Sequence, residues 1–506
     1  MKRFLATLAL VSLLIAPSAA MAAGKPGGIF RVGIEASTNL DPGFITSPPD
    51  ILIIFQAYEH LVDIDPATYN PIPGLAASWD SADGKTWTFK IRDGAKFWNG
   101  TPVTSKDVAW TFNRLRDPKV GTPSVSLYAN VTDIKTPDDQ TVVFELSETN
   151  PEFPADCGEH HAGIIPDGTT NPTEKNISSG AYYIKDFYPE DRVILVKNPH
   201  FNRKAADGSD LGKFDEIHFI FSPDIPGQVE ALRGGDLDFV GMLPFEVVEA
   251  IEKDPKTKLI LGDENEQMVI HMRVDGDRIA KDVRVRQALK LGTNHDDIIA
   301  AVRPGLAVAG NTTPVGPPYK DYYLDKKPVY DPEKAKALLA EAGYPKGFEI
   351  RFMVPTWGQN AQIATVWAQQ MAKIGVKVNI NMIPSDQYYS DAPDNWLECD
   401  YGVGPWGTRA TPVVYYNLAY VTGAPWNGCH WSDPEFDELV KQINMEMDKA
   451  KRIELYKKSQ EIFIDRGPSI AVYVQKASAA SSAKVENLQL GYAWITTRFW
   501  SANFAE

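Results

Sequence analysis

The sequence predicts an α/β protein built as more than one lobe, and three observations carry that expectation. The chain has 506 residues, 43% hydrophobic and 11% aromatic, enough for two or three cores. Stretches of period two and capped helices of period 3.6 occur along the same chain. No internal repeat, low-complexity tract or long linker separates them, so short connections should cross between lobes.

The N-terminus comes first. Lys2 and Arg3 precede an apolar run, Phe4 to Ala16, too short for a stable membrane span, and Ala20-Met21-Ala22 supplies a small-x-small cleavage site. Residues 1–22 therefore read as a cleavable signal peptide. No Cys follows the apolar run, so the expected product is a periplasmic protein and not a lipoprotein. Net charge is −15, and −17 once Lys2 and Arg3 are removed with the leader. That acidity disfavours nucleic acid and anionic membrane surfaces as partners.

From Gly28 to about Asn150 the chain reads as strands and turns around one helix. In "TWTFKIR", Trp87, Phe89 and Ile91 share one face, and Asp93-Gly94 follows as a turn. In "TSKDVAWTFNRL", Thr104 or Ser105 can cap a helix whose stripe is Val108, Phe112 and Leu115. "QTVVFELS" places Val142, Phe144 and Leu146 on one side of a second strand. The chain turns helical from Lys281. Asp331 then caps a helix with Pro332 at its first position, a stripe of Ala335, Leu338, Leu339 and Ala342, and Gly343 and Pro345 as its stop. In "SDPEFDELVKQI", Ser432 and Glu435 suggest a capping box ahead of Phe436, Leu439, Val440 and Ile443. A longer helix is expected over about 449–464 and a strand over 469–475.

"GVGPWG" (402–407) formally matches the dinucleotide fingerprint. That fingerprint needs a helix after its last Gly. Here Pro412 removes a helical donor and pushes Thr411 toward extended backbone, so a cofactor loop is not expected. No G-x-S-x-G, H-E-x-x-H or Walker A motif occurs, and no catalytic residue or cofactor is assigned. Glu159-His160-His161 near Cys157 raises the question of a metal. Adjacent residues are not expected to converge on one ion, so no metal ligand is assigned. Three cysteines allow at most one internal disulfide. Cys399 and Cys429 flank the 402–407 loop and are the preferred pair; the alternative is three small buried side chains.

Five blocks then point to a family: "LAASWDSADGKTWTFKIRDGAKFWNGTPVTSKDVAWTFNRL" (75–115), "SGAYYIKDFYPEDRVILVKNPHF" (179–201), "DVRVRQALKLGTNHDDI" (282–298), "YDPEKAKALLAEAGYPKG" (330–347) and "CHWSDPEFDELV" (429–440). In this order they make the mature chain resemble family 5 extracellular solute-binding proteins, the oligopeptide, dipeptide and nickel class serving ABC importers. The resemblance implies a two-lobed periplasmic binding protein of type II with an extra inserted subdomain and mixed sheets flanked by helices. Lobe I would comprise 23–60, the inserted subdomain 61–175, then 176–274 and 483–506, with lobe II at 275–482. Crossing strands are expected near 268–274 and 487–494, and closure on a hinge over the solute. The resemblance also implies a monomer, partnered by permease subunits in the inner membrane.

In this family the loop after a lobe II strand carries a Trp into the cleft, and peptide binders commonly follow it three residues later with an Asp for the ligand's ammonium. Trp406 matches that Trp, and the position three further on is Arg409. The exchange replaces an acceptor for a cation with a donor fork for an anion. The stretch "MVPTWGQN", where dipeptide binders place an Arg, carries Trp357 instead. Trp406, Arg409, Thr408, Trp357, His271 and Tyr415 are the expected ligand-binding residues. Among Tyr415, Tyr416, Tyr420, Trp426 and Trp431 only one or two should touch ligand. The expected solute is peptide-like or another carboxylate-bearing organic molecule. An oligosaccharide is the alternative within the family, and a secreted hydrolase the alternative of another class.

Overall fold

The computed structural model describes residues 27–505 except 391 and 394; the leader read over 1–22 lies outside them. Its main feature is an 11-stranded sheet. From one edge the order is Val376–Ile383, Phe348–Pro355, Tyr401–Trp406, Thr257–Met272, Ser469–Ser482, Phe239–Gly241, Ile29–Ile34, Glu216–Phe221, Arg192–Lys197 and Tyr182–Tyr188; Ala307–Val308 adds to Ser469–Ser482. The sheet is mixed. Phe348–Pro355 is parallel to its neighbour Val376–Ile383, with the helix Asn360–Lys373 between them in sequence, whereas Thr257–Met272 is antiparallel on both sides.

Two long strands join the halves of this sheet. The first, Thr257–Met272, includes the expected crossing segment 268–274 up to Met272. The second is Ser469–Ser482, not 487–494, which forms no strand and leads into a short turn at Trp494–Thr496. The reason is length: twelve of the fourteen residues of "SIAVYVQKASAASS" pair along Thr257–Met272, and only the first half of the stretch reads as a strand by pattern. Ile470, Val472 and Tyr473 pack with Met272, Phe463 and Trp367 in one core. Ala477 and Ala479, further along the same strand, pack with Phe30, Tyr182 and Phe499 in another. One strand thus passes between two separately packed cores, the arrangement of a two-lobed binding protein.

A third core fills a four-stranded unit ordered Ala76–Asp80, Thr86–Ile91, Thr141–Leu146, Val131–Asp138. Trp87, Phe89, Ile91, Val142, Phe144 and Leu146 are all buried, as period two requires. The helix Ser105–Arg116 covers them with Val108, Phe112 and Leu115. Thr104 and Asp107 close its capping box. The helix Pro332–Glu341 is capped by Asp331 as expected, and Gly343 takes the left-handed φ of 95° just beyond its end. At Pro434–Met445 the cap is Asp433, which accepts the Phe436 amide at 3.0 Å, and not Ser432. Ser432 Oγ instead accepts the Thr422 hydroxyl at 2.9 Å, because one residue further along the carboxylate already meets the free amides. The longer helix runs Lys449–Arg466.

Candidate functional site

Tyr401–Trp406 ends the central part of the sheet, pairing Trp406 with Gln267 and Gly402 with His271. Its glycines serve packing. A Cβ on Gly402 would collide with the His271 ring and the Tyr388 hydroxyl, and one on Gly404 would come within 3.1 Å of the Tyr389 hydroxyl. The small residues let a wall of rings lie directly on the strand. Beside it is a cavity of about 220 Å³ lined by Trp396, Trp406, Trp426, Tyr389, Tyr420, His271 and Arg409 among others. The Trp406 centroid lies 6.0 Å from that of Trp426, with the rings tilted by 34°, and 6.3 Å from Trp396 at 70°. Such rings offer flat apolar faces to a planar or aliphatic group.

The loop that follows is held from beneath. The buried Tyr415 hydroxyl donates to the Gly407 carbonyl at 2.9 Å and accepts the Arg409 amide at 3.2 Å. Tyr319 Oη donates to the Arg409 carbonyl at 2.6 Å. Thr408 Oγ1 donates to Glu264 Oε1 at 3.1 Å. Backbone and neighbouring side chains are therefore fixed, while the Arg409 guanidinium touches only its neighbour's carbonyl, Nη1 to Thr408 O at 3.3 Å. Among the described residues no carboxylate pairs with it. Arg273, by contrast, holds both Asp275 and Glu398, and Arg466 holds Asp433 and Glu435.

The structure thus brings Trp406, Arg409 and His271 to one cavity. His271 is neutral, since burial lowers its ring to about 4, and its Nε2 lies 3.2 Å from Cys399 Sγ. Tyr415 braces the loop from the core, its ring edge-on to Trp406 at 6.2 Å, and does not line the cavity. Thr408 likewise turns to Glu264. Trp357 is exposed outside the cavity, where its indole bonds the Tyr389 hydroxyl. Tyr420 and Trp426 reach the cavity, whereas Tyr416 and Trp431 are core. Tyr388, Tyr389 and Trp396 were not expected. Their aromatic density in the otherwise polar "DQYYSDAPDNW" is the signal that could have found them.

Two expectations need correction. Cys399 and Cys429 do not join: Cys399 Sγ faces His271, and Cys429 Sγ faces the Pro468 carbonyl at 3.7 Å. Flanking a loop in sequence does not bring two Cβ atoms into disulfide geometry. The ligand atoms of Glu159, His160 and His161 do converge, all within 4.8 Å of one another. The turn lets the Glu159 carboxylate reach both imidazoles, at 2.5 Å and 2.8 Å, so the cluster is a carboxylate shared by two rings.

A second polar group lies between the cores. Glu152, from the four-stranded unit, accepts the Tyr456 hydroxyl at 3.2 Å and meets Arg452 Nε at 3.5 Å, with both charged side chains over nine-tenths buried. Nearby, Lys449 Nζ donates to Asn70 Oδ1 at 2.9 Å. These contacts tie the Lys449–Arg466 helix to the N-terminal part of the chain at Asn70 and Glu152.

A two-lobed scaffold with an aromatic cavity, and beside it a cation that no carboxylate among the described residues pairs, fits a solute-binding protein. Comparison with known proteins places it. Residues 70–428 match the middle region of the bacterial extracellular solute-binding proteins, family 5, and the chain belongs to that family; it is a binding protein and not an enzyme. It is 27% identical to the periplasmic oligopeptide-binding protein OppA of Escherichia coli strain K12, over 93% of each chain. It is also 27% identical to the dipeptide-binding protein of the same strain, over 82% of this chain and 83% of that one. Among solved structures, HbpA2 from Haemophilus parasuis superposes with a TM-score of 0.80 at 21% identity, covering 95% of this chain and all of the other.

Proposed function

We propose that this protein captures a carboxylate-bearing, peptide-like solute in the periplasm and delivers it to the permease subunits of an ABC importer. The observation that carries the ligand class is the Arg409 guanidinium, unpaired among the described residues beside the aromatic cavity. A partly buried cation without a counter-ion is costly in a closed cleft, and a ligand carboxylate offsets that cost. The rings of Trp406, Trp396 and Trp426 take the apolar body beside it. The relatives named for oligopeptide and dipeptide binding support the peptide-like class. An oligosaccharide fits less well, since no carboxylate is among the described residues lining the cavity to accept sugar hydroxyls. The mature chain acts as an exported monomer, freed of residues 1–22, whose lobes close on the solute by hinge motion.

A thermal-shift screen of organic acids, peptides and sugars identifies the ligand class, followed by titration of Arg409→Ala. The variant should lose roughly 2–5 kcal/mol for a carboxylate ligand, mainly through faster release. Arg409→Lys should recover part, because the ammonium lacks the fork. Unchanged affinity in Arg409→Ala would show the anionic reading to be wrong. Scattering measurements should give a smaller radius of gyration with saturating ligand, and no contraction would count against hinge closure.

A further inference from the structure

The turn at 157–161 follows the short helix Phe153–Asp156, and none of its residues lines the aromatic cavity. One ligand atom from each of Glu159, His160 and His161 lies within 4.8 Å of the others. The carboxylate sits between the rings: Oε1 is 2.5 Å from His160 Nδ1, and Oε2 is 2.8 Å from His161 Nδ1. The ring centroids are 4.1 Å apart, their planes tilted by 37°. We propose that this turn binds one divalent transition-metal ion through the Glu159 carboxylate and the two imidazoles. Two nitrogens and a carboxylate suit Zn²⁺, Ni²⁺ or Cu²⁺; Ca²⁺ and Mg²⁺ take oxygen ligands. Water can complete the shell, because the Glu159 and His160 side chains are 22% and 25% exposed. The inference does not depend on what the aromatic cavity binds.

The turn is held in this shape by its surroundings. A Cβ on Gly158 would meet the Val62 carbonyl at 2.7 Å, so the backbone lies directly against the strand Val62–Ile64. Tyr128 Oη donates to Asp156 O at 2.8 Å, the Ala162 amide to Glu159 O at 2.9 Å, and the His161 amide to Glu159 Oε2 at 2.9 Å. His60 fixes the residue between. Its Nδ1 accepts from Arg498 Nη2 at 3.0 Å, so its Nε2 carries the proton and donates to the His160 carbonyl at 3.3 Å. Three ligands placed in advance lose little freedom when an ion arrives. A second observation comes from His161, which is 6% exposed. Beside a carboxylate, Nδ1 of the neutral ring holds the proton, and Nε2 is then a bare acceptor. That atom is buried with no hydrogen-bond partner among the described residues, and the nearby Ile45 carbonyl is an acceptor too. An ion at Nδ1 reverses this. The ring proton moves to Nε2, with none gained or lost, and the ring points a donor at Ile45, the outer support that a ligating His uses. A second proton can also occupy Nε2, since burial is outweighed by Glu159 and the ring's pKa rises; the ion competes with that proton. Charge favours the ion. Among the described residues no Lys or Arg pairs with Glu159, and the neighbouring acid Asp156 is met by the neutral Asn150 Nδ2 at 2.8 Å. A divalent cation supplies the positive charge that this group lacks.

The test uses the whole mature protein without an affinity tag, stripped with a chelator and titrated calorimetrically with ZnCl₂, NiCl₂ and CuCl₂ in separate runs. At least one of these ions should bind with a stoichiometry of one and raise the Tm, and CaCl₂ and MgCl₂ should neither bind nor displace it. His160→Ala removes a partly exposed ring, and Glu159→Gln keeps the side-chain shape, so both variants should retain the parent's far-UV circular dichroism. Each should weaken the ion at least about tenfold and lose the Tm shift. X-ray absorption of the metal-loaded parent needs no variant and decides the question if either substitution impairs folding. It should contain the scattering of two imidazoles at the metal; a shell of oxygens alone would overturn the site. Absence of saturable one-to-one binding would overturn it as well. Binding that survives both substitutions but disappears in His271→Ala would place the ion in the aromatic cavity and refute this inference. Binding that survives all three would be that of an adventitious ion only, with the same consequence.

Discussion

In the four-stranded unit the rings of Phe89, Phe112, Phe144 and Phe153 meet at 5.0–6.2 Å, all fully buried. Around the 406–411 loop, Trp406 and Arg409 are only half-buried, and Gln267 Oε1 is enclosed without a partner among the described residues. The first region satisfies itself. The second contains flat apolar faces and a lone cation beside a cavity that another molecule can fill. Stability and recognition are therefore located in different places, and substitutions should separate them.

The largest expected effect is on stability. Phe89→Ala or Phe144→Ala opens a cavity in a closed core and should cost about 3–5 kcal/mol in urea unfolding, while the molecules that remain folded bind ligand as before. A parallel fall in affinity would show that the two regions are not independent. Trp406→Ala should do the reverse. It should weaken any ligand by roughly 2–4 kcal/mol, as expected for a central aromatic anchor, with a smaller change in Tm because the ring is half-exposed. Arg452→Met tests the contact between the regions. It leaves Glu152 without its cation only while the lobes are together, so it should disfavour the closed form by about 3 kcal/mol. That would appear as weaker binding and a larger radius of gyration at a fixed ligand concentration. If the ligand-free Tm falls by the same amount, the pair is a folding element and not a contact of closure. Thr408→Ala is milder, about 1 kcal/mol for one lost hydrogen bond, and should affect binding more than unfolding. The smallest effect concerns the cysteines. Peptide maps of non-reduced protein should contain no Cys399–Cys429 cross-link. Cys429, buried and with its thiol pushed up to about 12, should alkylate only on unfolding; a recovered cross-link would refute this arrangement.

Local periodicity determined much of this molecule. The alternation in Thr86–Ile91 and Thr141–Leu146 and the stripe Val108, Phe112, Leu115 could be read directly, because each element buries one face against a neighbour close in sequence. The Asp331 cap was equally legible, since a cap acts within one turn. The order of five blocks identified the family, and Trp406 and Arg409 with it. What the sequence could not decide are features that depend on distant partners. The second crossing strand continues through "KASAASS" because Thr257–Met272 lies beside it, not because its own pattern demands a strand. Tyr415 and Trp426 are both aromatic and eleven positions apart, yet one braces the loop and the other lines the cavity; only the fold separates those roles. Glu159, His160 and His161 converge through a turn whose geometry adjacency does not reveal. Glu264 offered no motif at all; it is buried where a bulge in Thr257–Met272 meets Thr408 of the 406–411 loop, and desolvation is a property of three-dimensional surroundings.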